Sequence, residues 1–183
     1  RRYYKSLVDL KKGLVTNEVP KRIKMLMNEL GINEAERIVV KKAFDKKEKS
    51  NSHSAAIEIG KKYITGRQTE LLSPISSTIV NAIKYLTKIP DDVNILSPSV
   101  LAPILSLKQD TFHMHESTLT LNEVLLALSI CSATNPIVAE ALDKLSKLKG
   151  CELHATYMIP DSEEKILNSL RINVTCDTEA NIN

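Results

Sequence analysis

The stretch Thr65-Gly66-Arg67-Gln68-Thr69 gathers the residue types that an anion needs. Glycine lets the backbone come close, a guanidinium offers a planar two-pronged donor, and a threonine hydroxyl adds another. The stretch lies between a predicted strand and a predicted helix, and the first turn of that helix supplies unpaired N–H groups and partial positive charge. Thr65, Gly66, Arg67 and Thr69 are therefore the primary candidates for holding a phosphate or carboxylate. The Gly-x-x-x-x-Gly-Lys-Ser/Thr spacing of a P-loop is absent. A strand-to-helix turn with a cap and a surface arginine accounts for the same residues.

Four further residues form two secondary candidates. Thr134 and Asn135 sit in a run of small and polar residues, Cys131-Ser132-Ala133-Thr134-Asn135-Pro136, at a predicted helix–helix junction. They suit a ligand, but an Asn cap with Pro at the first helical position explains them as well. Glu152 and His154 alternate along a predicted strand, so both face one side and Cys151 faces the other. That spacing disfavours a Cys–His nucleophile pair and permits a Glu–His acid–base pair. A half-exposed strand of alternating polarity is the plainer expectation.

His113-x-His115 with Glu116 offers two imidazoles and a carboxylate, short of the rigid three or four ligands that zinc requires, so no metal is expected. The sequence has no Gly-x-Ser-x-Gly elbow, no His-Glu-x-x-His and no dinucleotide fingerprint. No cofactor is evident, and no full catalytic set.

The elements that must position these groups follow from periodicity and punctuation. Residues 1–12 read as helix. A second helix runs from an Asn17 cap to Leu30, with an apolar stripe of Ile23, Leu26, Met27 and Leu30, and stops at Gly31. Asn33 and Glu36 form an Asn version of the capping box, opening a third helix through about Lys49. The pattern changes near residue 51. Residues 55–59 and 62–65 read as a hairpin around Gly60-Lys61, ended by Gly66. A helix follows from Glu70 or Pro74 to Lys88, capped by Thr69 or Ser73. Val93 to Leu96 reads as a short strand, then a helix from Ser97-Pro98 bends or breaks at Pro103, and 108–118 reads as loop. Thr120 and Glu123 box a helix that Asn135-Pro136 ends, and the next helix runs to Gly150. Cys151 to Ile159 is β-prone, Asp161 and Glu164 cap a short helix, and Ile172 to Cys176 is a last strand. The expected fold is α/β, with α+β as the alternative: a helical arm over 1–50, a small mixed sheet packed by helices over 51–177, and a loose tail over 178–183. The final β-α-β suits a parallel pair joined by a crossover.

Composition narrows the class. Hydrophobic residues make up 43% of the 183, but aromatics only 4%, so Leu, Ile, Val, Ala and Met must build the core. The net charge of +3 is uneven: residues 1–50 carry 14 Lys and Arg against 7 Asp and Glu, and residues 51–183 carry 11 against 15. The basic residues lie on amphipathic helices among glutamates, without aromatic interleaving, so a solvated or docking face is expected before a nucleic-acid surface. No apolar run reaches the ~18 residues of a membrane span. Three widely spaced cysteines fit free thiols in a reducing cytoplasm. The chain opens at Arg1, within a predicted helix, as expected of part of a longer protein.

Several runs together resemble a known family. They include Arg1-Arg2-Tyr3-Tyr4, Ala55-Ala56-Ile57-Glu58, Thr65-Gly66-Arg67 with Leu71-Leu72, and Asn81-Ala82-Ile83-Lys84. Ile95-Leu96-Ser97-Pro98, the long run Glu123 to Pro136, Lys147 to Thr156, and Asn173-Val174-Thr175-Cys176 follow in order. The chain resembles, over residues 1 to about 177, the C-terminal portion of the bacterial family called domain of unknown function 1846. The resemblance implies a preceding region with a Gly-rich, nucleotide-site-like segment. The family usually has His-Thr-Asp where this chain has Thr120-Leu121-Asn122, and tends to Ala and Gly where it has Ser73-Pro74-Ile75-Ser76. No catalytic role transfers, since the family has no established activity.

Three functions are open on these grounds. The first is an accessory domain that completes and oligomerises a larger, nucleotide-binding protein, with the preceding region of the same protein and further copies of itself as partners. The second is half of a shared active site for an anionic small molecule. The third, ranked last, is a nucleic-acid module acting through residues 1–50.

Overall fold

The hairpin expected around Gly60 forms one half of a four-stranded sheet. The computed structural model describes residues 1–114 and 118–178. Strands β1 (Ser54–Ile59) and β2 (Lys62–Arg67) pair antiparallel, with Ala55 opposite Gly66 and Ile57 opposite Ile64. β1 also pairs antiparallel with β3 (Glu152–Ala155), which pairs parallel with β4 (Asn173–Cys176). The sheet order is β2-β1-β3-β4, mixed as expected. Eight α-helices accompany it among the described residues.

Alternation along the strands divides the side chains between two faces. One face carries Ala55, Ile57, Leu153, Ala155 and Cys176. These join the main core with α4 (Pro74–Thr87), α6 (Leu121–Ser132), α7 (Pro136–Asp143) and α8 (Asp161–Ser169). The other carries Ala56, Glu58, Glu152, His154 and Thr175. It lies under α1 (Arg2–Lys11) and α3 (Ile38–Ser50), through a smaller cluster of Tyr4, Val39, Val40, Ala43 and Ala56. Ser54 Oγ donates to the Ala43 carbonyl at 2.6 Å, tying α3 to the first strand.

Most helix ends follow the expected chemistry. Ser73, rather than Thr69, caps α4, accepting from the Ser76 N–H with Pro74 at the first helical position. Asn135 caps α7 through the N–H groups of Ile137 and Val138. At α6 the Thr120 N–H donates to Glu123 at 2.8 Å. Glu163, buried in the first turn of α8, accepts from Ser73 Oγ and from the Leu121 N–H, both at 2.8 Å. One carboxylate thus joins the starts of α4, α6 and α8.

The structure corrects several expectations. Asn17 does not cap α2 (Glu18–Glu29) with its side chain; its backbone is already helical and its carbonyl carries the turn. The helix expected from Asn33 is split. Glu34–Glu36 form a 3-10 turn, Arg37 is extended, and α3 starts only at Ile38. Gly66 does not end the hairpin but lies within β2, because α4 crosses directly over it: a Cβ there would meet the Thr78 nitrogen at 2.3 Å. Val93–Leu96 is not a strand; Ile95 and Leu96 are buried against the core, and the Ser97 N–H goes to Cys131 Sγ. α5 (Pro98–Ser106) keeps Pro103 inside it and runs on as a π-helical turn over Leu107–Thr111, where loop is expected. The helix after Asn135 tightens to 3-10 over Lys144–Leu148. Asp161 is the first residue of α8 instead of its cap, and pairs with Lys12 at 2.6 Å.

Candidate functional site

The break before α3 sets up the polar centre of the molecule. With extended backbone, Arg37 sends its guanidinium onto the second face of the sheet. One nitrogen donates to Glu152 at 2.7 Å and the other to the Thr175 hydroxyl at 2.6 Å. Thr175 Oγ1 also lies 3.0 Å from His154 Nδ1 and 3.3 Å from the Leu153 carbonyl. Glu152 and His154 are therefore brought together through Arg37 and Thr175, without touching each other. Arg1 adds a second cation 3.7 Å from the Glu152 carboxylate. Around this network opens a cavity of about 320 Å³ lined by Arg1, Glu36, Arg37, Glu58, Tyr63 and Glu152.

The interior end of the network is sealed. His154 is fully buried, so β3 is not the half-exposed strand expected; α1 and α3 cover it. Its ring lies 4.7 Å from that of Tyr4 and 5.9 Å from that of Phe44. Its Nε2 has no hydrogen-bond partner among the described residues. Burial, with the Arg37 charge beside it, holds His154 down to about 3. The imidazole is thus neutral at physiological pH and takes no proton there. Burial pushes Tyr4 up to about 12, so it too stays un-ionised.

The outer end is charged, with Glu152 as the carboxylate that both arginines meet. Two guanidiniums face three carboxylates, and the Tyr63 hydroxyl donates to Glu58 at 3.2 Å. Cys151 precedes β3, and burial with the charges of Glu58 and Glu152 pushes its thiol up, opposite to what a thiolate nucleophile needs. The network orders the α1–α3 layer on the sheet; it does not present an activated nucleophile or a base poised near neutrality.

The remaining predicted residues lie elsewhere. Thr65, Gly66 and Arg67 end the edge strand β2, where the Thr65 carbonyl accepts from Asn81 of α4 at 2.9 Å. The Thr69 hydroxyl is engaged within its own turn, accepting from the Leu72 N–H at 2.9 Å. Arg67 is exposed and makes no ion pair among the described residues. Thr134 and Asn135 are exposed at the α6–α7 junction, with the Asn135 side chain committed to its cap. His113 has positive φ, while His115 and Glu116 lie outside the described residues. Among the described residues no three His, Cys, Asp or Glu side chains cluster as a metal would require.

Sequence reasoning missed Arg37 and Thr175. Arg37 was hidden inside a predicted helix. The only available signal was the β-branched run Ile38-Val39-Val40 beside it, a poor continuation of a helical turn.

A different kind of surface lies on α2. Of its residues only Pro20 is buried. Ile23 and Met27 of the predicted stripe are half-covered, while Leu26 is 56% and Leu30 72% exposed. Val19 is also exposed on α2, as are Leu14 before the helix and Ile32 after it. Polar contacts hold α2 in place: Lys24 pairs with Glu34, and its ammonium lies 5.3 Å from the centre of the Tyr3 ring.

A family model described as domain of unknown function DUF1846, C-terminal, matches residues 35–181. A UPF0371 protein of Clostridium tetani (strain Massachusetts / E88) is 38% identical over 189 residues, covering 98% of this chain and 38% of the relative. UPF0371 proteins of Clostridium botulinum are similar. That of strain Eklund 17B / Type B is 39% identical over 186 residues, covering 97% of this chain and 37% of the relative. That of strain ATCC 19397 / Type A is 38% identical over 188 residues, covering 98% and 38%. The chain thus spans little more than a third of the length of the curated relatives it matches. The chain belongs to the DUF1846 family of bacterial proteins, in that family's C-terminal region.

Proposed function

We propose that this region is an accessory domain of a longer cytoplasmic bacterial protein, and that α2 receives the part of that protein preceding the region. The observation that carries this reading is the exposure of Leu14, Val19, Leu26, Leu30 and Ile32 on and beside α2. An exposed contiguous apolar patch marks an interaction surface more often than an accident. The preceding portion is the occupant, because the matching family model is the C-terminal one and relatives carry about 62% of their length beyond this match. α1 and α2 are the elements nearest that portion along the chain. In this reading the preceding portion carries the nucleotide-type chemistry that the family resemblance implies, and exposed Arg67 is this region's contribution to any anionic ligand bound between the two. Further copies of the chain are a separate partner that oligomerisation would add.

Hydrogen exchange tests the proposal when run on the isolated 183-residue chain and on a full-length family member. The amides of α2 are expected to exchange about tenfold or more slowly in the full-length protein, since a docked helix must undock to open. Equal exchange in both overturns the reading. So does protection that appears in the isolated chain only as its concentration rises, which assigns the face to a second copy. A Leu26→Asp/Leu30→Asp variant is expected to lose the extra protection while changing the isolated chain's stability by about 0.5 kcal/mol or less.

A further inference from the structure

Lys84 and Lys108 are both buried, and among the described residues only Lys108 pairs with a carboxylate. Lys108 is 4% exposed; its ammonium donates to the Thr118 carbonyl at 2.8 Å and pairs with Glu123 at 2.9 Å. Lys84 on α4 is 6% exposed, and its ammonium donates to the Asp91 carbonyl at 2.8 Å. No carboxylate pairs with Lys84 among the described residues. A buried ammonium with a single neutral acceptor is a costly arrangement, and proteins ordinarily resolve it with a matching anion. Lys84 lines a cavity of about 450 Å³ between α4, the segment 93–96 and α5. The rest of the wall is mostly apolar, including Leu72, Val80, Ile95, Leu101 and Leu105, with Asn94 among them.

We propose that this cavity binds a small molecule with an apolar body and one carboxylate, whose charge is taken up by Lys84. The size falls in the range of about 300–1,000 Å³ usual for small-ligand sites, and a largely apolar wall with a few placed polar groups is their usual chemistry. The wall supplies binding through apolar burial, and the ammonium supplies selection for an anionic head. A neutral apolar molecule leaves the ammonium still unpaired. A small hydrophilic anion gains the charge contact but leaves the wall unused. The site is separate from the α2 face and from the Arg37 network, so it stands or falls independently of the accessory-domain reading.

Calorimetric titration of the 183-residue chain with octanoate, octan-1-ol and acetate tests it. Octanoate is expected to bind with a Kd of about 1 mM or tighter, and octanol and acetate about tenfold or more weakly. Lys84→Met keeps the length of the side chain and removes its charge. It is expected to weaken octanoate to the level of octanol while leaving octanol unchanged. Ala102→Trp, placed at the exposed rim of the cavity, is expected to weaken both and does not disturb the buried lysine. Equal binding of octanoate and octanol by the wild-type chain overturns the proposal, as does undiminished octanoate binding by either variant. A chain that binds none of the three at about 10 mM overturns it too.

Discussion

One face of the sheet sets Ile57, Leu153 and Ala155 into a continuous apolar core with α4, α6 and α8; the other sets Glu152, His154 and Thr175 beneath α1 and α3. Both are covered, the second less completely at Glu152, and they are held by different physics. On the first face the stabilisation is the removal of hydrocarbon from water, which depends on volume and tolerates exchange among residues of similar size. On the second, most polar groups are met by a particular partner, since an unmet one costs more than a met one gains, and His154 Nε2 is the exception among the described residues. The first face makes the fold stable. The second decides where the helical layer comes to rest on it.

The largest test of this contrast is on the apolar face. Leu153→Ala leaves a cavity in a fully buried position and is expected to cost about 3 kcal/mol in urea denaturation. A loss below about 1 kcal/mol would mean that the core there is loosely packed, and the contrast would fail. Next comes the pH response of the polar face. His154 is held down to about 3, against about 6.5 in the unfolded chain. Above pH 6.5 the imidazole is neutral in both states. Between 6.5 and 3 the unfolded state binds a proton that the folded state refuses, so stability falls as pH falls, by about 1.4 kcal/mol per unit from this group alone. The stability of the wild-type chain minus that of His154→Phe should carry this slope between pH 6.5 and 3, and a flat difference would show that the histidine is solvated. The smallest effect is the coupling of Arg37 and Glu152. Their side chains are 20% and 25% exposed, so a double-mutant cycle with Arg37→Met and Glu152→Gln is expected to give about 1 kcal/mol. A coupling of zero would reduce the pair to an incidental surface contact.

The apolar face was the more legible of the two in the sequence. Period-two and period-3.6 patterns gave the hairpin, the last two strands, and α4 and α6 within a few residues, because burial on one side leaves a regular trace. The caps at Ser73, Thr120 and Asn135 were readable because local side chains close them. The polar face left almost no trace. Glu152 and His154 were placed on one side of their strand by parity, but Arg37 lies 115 positions from its partner Glu152, and nothing local announces that contact. Gly66 shows the same limit. In the sequence it reads as room for a ligand, while in the fold it is room for α4. The segment 93–96 misled because β-branched and apolar residues record burial, which a coil against the core satisfies as well as a strand does.

Glu163 has a consequence for where ligands can go. Helix starts near the carboxyl ends of parallel strands are the usual berth for phosphate in α/β proteins. Here, beyond the end of β3, that berth already has a tenant: a carboxylate rooted in α8, bonded to the Leu121 N–H of α6 and to the Ser73 cap of α4. The chain carries its own anion, covalently attached and impossible to wash out. A phosphate arriving from solution would have to evict part of the protein itself. The corner most often left vacant for a guest has become a rivet, and molecules from outside must be received at other openings.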